Sequence, residues 1–144
     1  MRTTPSGKPS GCVSALDQQR LEALIERSFD GKALDPAASA VLHRLRNAGV
    51  IARPDVIPPT LVTMNSTVRL QAEAGAGERE VTLVYPEDHD PAEACWSVLS
   101  PLGAALFGLS VGDVAEFAEA DGTPGRWRVV AIPFQPEARG FLTM

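Results

Sequence analysis

The segment 97–113 constrains the fold of this chain more than any other part of the sequence. Ser100 is a residue type preferred at a helix N-cap, and Pro101 suits the first helical position because its φ is already near the helical value. Gly112 and Asp113 predict a tight turn into a strand. One helical face between them carries Leu102, Ala105, Leu106 and Leu109. Apart from Asp113, the segment offers no obvious nucleophile, general base or metal ligand, so it predicts architecture rather than catalysis.

An apolar pattern with a period of two surrounds this segment and predicts strands. Apolar side chains such as Val62 and Met64 alternate with polar ones such as Thr63 over residues 62–72, which is typical of a half-buried strand whose polar face points away from the core. Further strands are predicted at 80–85, 94–100, 114–119 and 126–134, with turns at 75–77 and 121–122. About five antiparallel strands with one short helix laid across them are predicted, which gives an α+β domain over residues 60–144.

A first helix is predicted to begin after Ser14. The pattern Ser14-x-x-Asp17 resembles a capping box in which Asp replaces the usual Glu. Asp30 and Gly31 are predicted to end this helix. Its apolar stripe is formed by Leu21, Leu24, Ile25 and Phe29.

A second helix is predicted to begin at Pro36, with Asp35 as its N-cap and Gly49 just beyond its end. Because a loop of about five residues joins the two helices, residues 14–49 predict a short antiparallel helical hairpin. Isolated helices of this length are marginal in water, so the two arms are expected to stabilise each other. The apolar stripe of the second helix is formed by Ala38, Val41, Leu42, Leu45 and Ala48.

Two segments are predicted to be irregular. Residues 1–13 are rich in Pro, Gly and Ser and lack the apolar core of a secretory signal, which predicts a disordered tail. Residues 50–59 contain three prolines, which exclude a regular helix or a central strand. This second segment is predicted to be a linker that packs along a surface.

Charge is distributed unevenly along the chain. Residues 1–59 contain eight Lys or Arg and six Asp or Glu, whereas residues 60–144 contain five and twelve. The acidic C-terminal part disfavours direct DNA binding because it repels phosphate. No apolar run approaches the ~20 residues of a membrane span, so a cytoplasmic protein without membrane contact is expected. Cys12 and Cys95 have no partners at ligand spacing, so reduced thiols and no metal site are expected.

The C-terminal part resembles the C-terminal domain of the GreA/GreB transcript cleavage factors. The resemblance rests on the residues Ser100-Pro101, Ala105-Leu106, Gly108 and Gly112-Asp113, in that order. Three further segments, 62–66, 81–86 and 134–138, resemble the Rnk family, the regulators of nucleoside diphosphate kinase that are short relatives of the Gre factors. The resemblance implies an FKBP-like version of the α+β domain. It also implies that Ser100, Pro101, Gly103, Gly108, Gly112 and Asp113 form the framework of a docking domain.

The resemblance implies that RNA polymerase is the partner and that its secondary channel is the binding site. Gre factors carry a helical hairpin whose acidic tip enters that channel and helps to hold a catalytic Mg²⁺. Here the corresponding contact candidates are Asp30, Lys32 and Asp35. The Gre pattern is an Asp and a Glu three residues apart, whereas these two acids are five apart with a lysine between them. A non-enzymatic regulator that competes with Gre factors is therefore expected, without cofactor or small-molecule substrate.

Two other functions stay open at this point. The first is a cleavage-promoting elongation factor, in which Asp30 and Asp35 would assist the Mg²⁺ chemistry of the polymerase. The second is an FKBP-like prolyl isomerase, which would need several aromatic side chains lining a cleft. Core packing is the preferred interpretation of the aromatic residues. The densest acidic cluster, which contains Glu87, Asp88, His89, Asp90 and Glu93, is interpreted as a solvated loop between two prolines.

Overall fold

A computed structural model describes residues 12–48, 50–73, 77–119 and 121–141. Most of the predicted disordered tail, residues 1–11, lies outside this range, as do the predicted C′ residue Gly49 and most of the turn at 75–77. The tail prediction is wrong for its last two residues. Cys12 and Val13 lie in strand β1, which spans Cys12–Ser14. Val13 is buried there.

The two N-terminal helices begin where the sequence predicts. Helix α1 spans Ala15–Phe29, and the Ser14 hydroxyl at its N-cap accepts a hydrogen bond from the Asp17 N–H at 3.3 Å. Helix α2 spans Pro36–Arg46, and the Asp35 carboxylate accepts a hydrogen bond from the Ala38 N–H at 2.8 Å. These caps satisfy backbone donors that have no partner within the helix.

The segment predicted to be a linker contains a strand that the sequence analysis missed. Strand β2 spans Val50–Ala52 and pairs in parallel with β1, with Cys12 opposite Val50 and Ser14 opposite Ala52. A short 3₁₀ turn follows at Pro54–Val56. The three prolines come after β2 and therefore do not interrupt its pairing. The chain thus enters and leaves the helical segment through two neighbouring strands.

A five-stranded sheet forms the rest of the fold. Its strands are β3 (Thr67–Ala72), β4 (Glu78–Val84), β5 (Cys95–Ser97), β6 (Val114–Ala118) and β7 (Pro124–Phe134), in the order β5-β4-β3-β7-β6. The prediction of an antiparallel sheet needs one correction, because β4 and β5 are parallel. Two 3₁₀ turns, Pro86–Asp88 and Pro91–Glu93, carry the chain back between them. Helix α3 spans Pro101–Leu106.

The predicted strand 62–72 begins five residues later than expected. Asn65 has a φ of 66°, in the left-handed region, and its N–H donates to the Leu83 carbonyl at 2.6 Å. The chain therefore turns at this point and enters the sheet only at Thr67. Thr63 is predicted to face away from the core but is buried, and its hydroxyl is hydrogen-bonded to that of Ser66 at 2.8 Å. Alternation then holds from Val68 to Leu70.

The helices and the sheet share one hydrophobic core. One cluster of buried side chains joins Leu21 and Ile25 of α1 and Val41 of α2 to Leu70 of β3 and Phe107 after α3. The two helices are therefore attached to the C-terminal part by apolar packing. Residues 50–59, which connect the helices to that part, do not act as a flexible linker. No helix in the part of the chain that the structure describes has the length and apolar character that crossing a membrane requires.

Candidate functional site

The predicted framework residues meet at the corner around α3. The Ser100 hydroxyl accepts a hydrogen bond from the Gly103 N–H at 3.1 Å and donates one to the Ser97 carbonyl at 2.6 Å. Gly103 lies so close to the end of β5 that a Cβ there would be 1.9 Å from the Ser97 carbonyl oxygen. With Pro101 at the first helical position, these residues fix the start of α3 against the sheet.

The second half of the framework connects α3 to β6 and β7. Gly108 and Gly112 have φ values of +82° and +100°, which glycine adopts without steric cost. The Asp113 carboxylate accepts a hydrogen bond from the Ser110 N–H at 2.9 Å. The Gly112 N–H donates to the Val129 carbonyl, and the Val129 N–H donates to the Asp113 carbonyl, both at 2.8 Å. The turn is thereby hydrogen-bonded to the sheet.

This framework also receives helix α2. The Cδ of Arg44 lies 2.7 Å from the position that a Cβ on Gly108 would occupy. Burial lowers the pKa of the Arg44 guanidinium, and the nearby charge of Asp113 opposes that shift. Gly108 thus leaves room for a side chain of the helical segment, and Asp113 places a negative charge near it. Sequence reasoning missed this role, although Arg44 directly precedes the buried Leu45.

Helix α1 is attached to the C-terminal part by a buried polar contact. Asp17 is 2% exposed, and its carboxylate accepts a hydrogen bond from the Met64 N–H at 3.1 Å. Nearby, the Thr63 hydroxyl donates to the Glu137 carboxylate at 2.7 Å. Burial raises the pKa of Asp17 to about 7; the Met64 hydrogen bond lowers it, the Glu137 charge raises it and the Arg20 charge lowers it. The sequence analysis identified Asp17 only as part of a capping pattern.

Tyr85 extends this contact along α1. Burial raises the pKa of the Tyr85 hydroxyl to about 12, with a further increase from the Asp17 charge, while the positive charge of Arg20 acts in the opposite direction. Two contacts therefore hold the helices on the sheet. Helix α1 is held by the Asp17–Met64 hydrogen bond and α2 by the contact between Arg44 and Gly108. The positions of the two helices relative to the α3 corner follow from them.

The three tip candidates lie on the loop between α1 and α2, and all three are exposed. Asp30 follows the last residue of α1, whereas Asp35 is the N-cap of α2 and its carboxylate is engaged with the Ala38 N–H. Lys32 lies between them. The two acids therefore stand at opposite ends of the loop, and only the Asp30 carboxylate has no capping role.

The acidic loop before β5 is not built as a metal site. The His89 Nδ1 accepts a hydrogen bond from the Ser97 N–H at 2.8 Å, so this ring nitrogen supports the fold. Over residues 12–48, 50–73, 77–119 and 121–141, no three His, Cys, Asp or Glu side chains converge as a metal site would require. His89 also packs edge-on against Trp96, with ring centroids 5.8 Å apart.

The two tryptophans are not arranged as an open aromatic cleft. The Arg79 guanidinium carbon lies 5.1 Å from the ring centroid of Trp127 and 5.7 Å from that of Trp96. The Trp127 indole N–H donates to the Glu119 carboxylate at 2.9 Å, which also forms an ion pair with Arg79 at 3.4 Å. A guanidinium thus occupies the space between the rings, in agreement with the structural interpretation of these aromatic residues.

Comparison with known proteins decides the family of the chain. Residues 57–134 match the family described as transcription elongation factor, GreA/GreB, C-term. The chain belongs to the GreA/GreB family. It is 33% identical over 134 residues to the "Regulator of nucleoside diphosphate kinase" of Escherichia coli K12, a match that covers 92% of this chain and 96% of that protein. The sequence resemblance to the Gre factors and to the Rnk family is thereby confirmed.

Two further members of the GreA/GreB family delimit the similarity. The structure of "Prokaryotic transcription elongation factor GreA/GreB from Nitrosomonas europaea" is 40% identical, with a TM-score of 0.73 over 88% of this chain and 100% of that chain. The transcription elongation factor GreA of Clostridium botulinum is 34% identical over 80 residues, which are 56% of this chain and 49% of that protein. Similarity to the Nitrosomonas structure therefore extends well beyond the 57–134 match, whereas similarity to this GreA is limited to about half of the chain.

Proposed function

We propose that this protein is a non-enzymatic regulator of transcription that binds RNA polymerase near its secondary channel and competes there with Gre factors. The observation that carries the proposal is the attachment of α2 to the family framework, where Arg44 lies over Gly108. Because this contact and the shared core fix the helical segment on a Gre-type domain, the loop with Asp30 and Lys32 is presented in one direction. A protein that occupies a channel needs two parts, a domain that binds at the rim and a loop that extends inward.

The proposed mechanism is exclusion rather than chemistry. Holding a small octahedral cation would need carboxylates that converge within a few ångströms. Asp35 is engaged as a helix cap, and Lys32 places a positive charge between it and Asp30. An inhibitor that occupies a site needs affinity and shape but no catalytic group. An effect on nucleoside diphosphate kinase would then be indirect, through transcription, in a cytoplasmic setting.

Cleavage stimulation is the second candidate, since the Asp30 carboxylate is exposed and has no capping role. In this alternative Asp30 would help the polymerase to hold its own Mg²⁺. Prolyl isomerisation through an FKBP-like domain is less favoured, because Arg79 lies between the tryptophan rings that a proline pocket would require.

A binding competition tests the proposal. Labelled protein is bound to purified core RNA polymerase, and unlabelled GreA is titrated into the mixture. Displacement by GreA is expected, and a failure to bind polymerase would overturn the proposal.

A cleavage assay on stalled elongation complexes then separates the two transcription functions. A competitor is expected to cause no increase in transcript cleavage by itself. It is also expected to reduce the cleavage that added GreA stimulates. Increased cleavage that is lost in Asp30→Asn would favour the second candidate. Glu78→Gln provides a matched control, because Glu78 is an exposed acid on β4, far along the chain from the tip.

A further inference from the structure

A groove runs between α1 and α2 beside the loop that joins them. Its volume is about 400 Å³, and its floor is apolar. The floor is formed by Ile25 and Phe29 of α1, Leu34 of the loop and Leu42 of α2. Ile25 is buried, whereas the other three side chains keep part of their surface exposed. The helix pair therefore leaves apolar surface open near its tip.

One rim of the groove is acidic. Glu22 and Glu26 lie four residues apart on one side of α1, and Asp30 follows directly after the helix, so the three acids form a ridge beside the groove. All three are exposed, and within the described residues none of them takes part in an ion pair. Like charges at this spacing disfavour the helix by a few tenths of a kcal/mol, so the ridge does not serve the stability of α1. Arg46 of α2 also lines the groove.

We propose that this groove binds a basic amphipathic helix of another protein. The apolar side chains of that helix would lie on the floor formed by Phe29, Leu34 and Leu42, and its Lys or Arg residues would face the Glu22–Glu26–Asp30 ridge. A groove between two helices accepts a third helix through anchors spaced three and four residues apart. The acidic ridge selects a cationic partner and repels nucleic acid and anionic membrane surfaces.

This inference is independent of the proposed function, because the partner is defined by its chemistry and the test requires no polymerase. The probe is a fluorescein-labelled amphipathic peptide of Leu and Lys, about 18 residues long so that it forms a helix. Its counterpart has Glu at every Lys position. Fluorescence anisotropy at low and moderate salt measures the binding of each peptide to the full chain.

The expected result is binding of the Lys peptide, weakened by salt, and no binding of the Glu peptide. The double change Glu22→Lys with Glu26→Lys is expected to weaken binding about tenfold, because the Lys residues of the peptide would then face two positive charges in place of two negative ones. Glu22→Gln with Glu26→Gln is a second variant that keeps the side-chain size. Glu78→Lys, an exposed charge reversal on β4, should bind as the unmodified protein does.

Three results would overturn the proposal. The first is equal binding of the Lys peptide by the ridge variants and by Glu78→Lys, with circular dichroism showing that all are folded. The second is equal binding of both peptides. The third is a stable dimer in sedimentation that dissociates in the ridge variants, because a second copy of this chain would then be the occupant.

Discussion

Arg44 and Gly108 lie in direct contact, with the arginine Cδ 2.7 Å from the position that a Cβ on the glycine would occupy. They belong to different parts of the chain, one to α2 and the other to the turn after α3. Position 108 therefore favours glycine for two reasons. Its φ is +82°, and a larger side chain would collide with Arg44 of α2.

Gly108→Ala is expected to destabilise the protein by more than its backbone conformation alone requires. Alanine in the left-handed region costs roughly 1–2 kcal/mol, and displacement of Arg44 adds about 1 kcal/mol of lost packing. Gly122→Ala is the matched control, since Gly122 has a φ of +86° and nothing within 4 Å of the added Cβ. Urea denaturation of both variants measures the difference. In an Arg44→Ala background the two glycine changes should become equally costly, and a persisting difference would contradict the contact.

Gly103→Ala is expected to be the most damaging change in the framework. The added Cβ would lie 1.9 Å from the Ser97 carbonyl oxygen, a backbone atom that cannot rotate away. We expect a loss of about 3 kcal/mol or more in the free energy of unfolding, because α3 must move off the end of β5. Thermal unfolding of Gly103→Ala and of Ala105→Gly in the same helix provides the measurement. Similar transition temperatures for the two variants would show that α3 does not press on β5.

The stability of the protein is expected to decrease between about pH 4 and pH 7 through Asp17. Its pKa is raised from the ordinary 3.8 to about 7, so the folded state binds a proton that the unfolded state has released. The contribution is therefore present at low pH and lost as the pH rises. Urea midpoints at pH 5 and pH 8 should differ more for the unmodified protein than for Asp17→Asn. Asp30→Asn, which changes an exposed carboxylate, should retain the full pH dependence.

Substitutions of the two acids of the tip are expected to differ in their effect on the free energy of unfolding. Asp35→Ala should lower the free energy of unfolding by about 1 kcal/mol, because it removes the N-cap of α2. Asp30→Ala, which removes an exposed side chain, should leave the free energy of unfolding nearly unchanged. Chemical denaturation gives both values, and the competition with GreA is then measured for each variant. A loss of stability in Asp30→Ala equal to that in Asp35→Ala would contradict this assignment.

The parts of the fold that local chemistry determines could be predicted from the sequence. Ser14, Asp35 and Ser100 each cap a helix through a hydrogen bond that spans three residues, so the pattern is visible in a short window. The central alternation of β3 is equally local. For this reason the helix starts and most of the strands agree with the prediction.

The missed features depend on residues far apart in the chain. The turn at Asn65 is fixed by the backbone of Leu83, and β1 is a strand only because β2 lies beside it. The contact between Arg44 and Gly108 likewise joins positions that no sequence window contains together. Periodicity reports which face of an element is apolar but not which element covers it, and therefore these pairings could not be predicted.

The parallel pair β1–β2 has a consequence for how far the tip can extend. Because the helices begin and end at adjacent strands, their foot is fixed independently of their length. Whole turns of about 5.4 Å inserted into both arms would move Asp30 and Lys32 outward without altering the attachment at Arg44 or Asp17. The distance to which the loop extends is thus set by the length of the two helices, and it can change in steps of one helical turn while the attachment to the sheet stays the same.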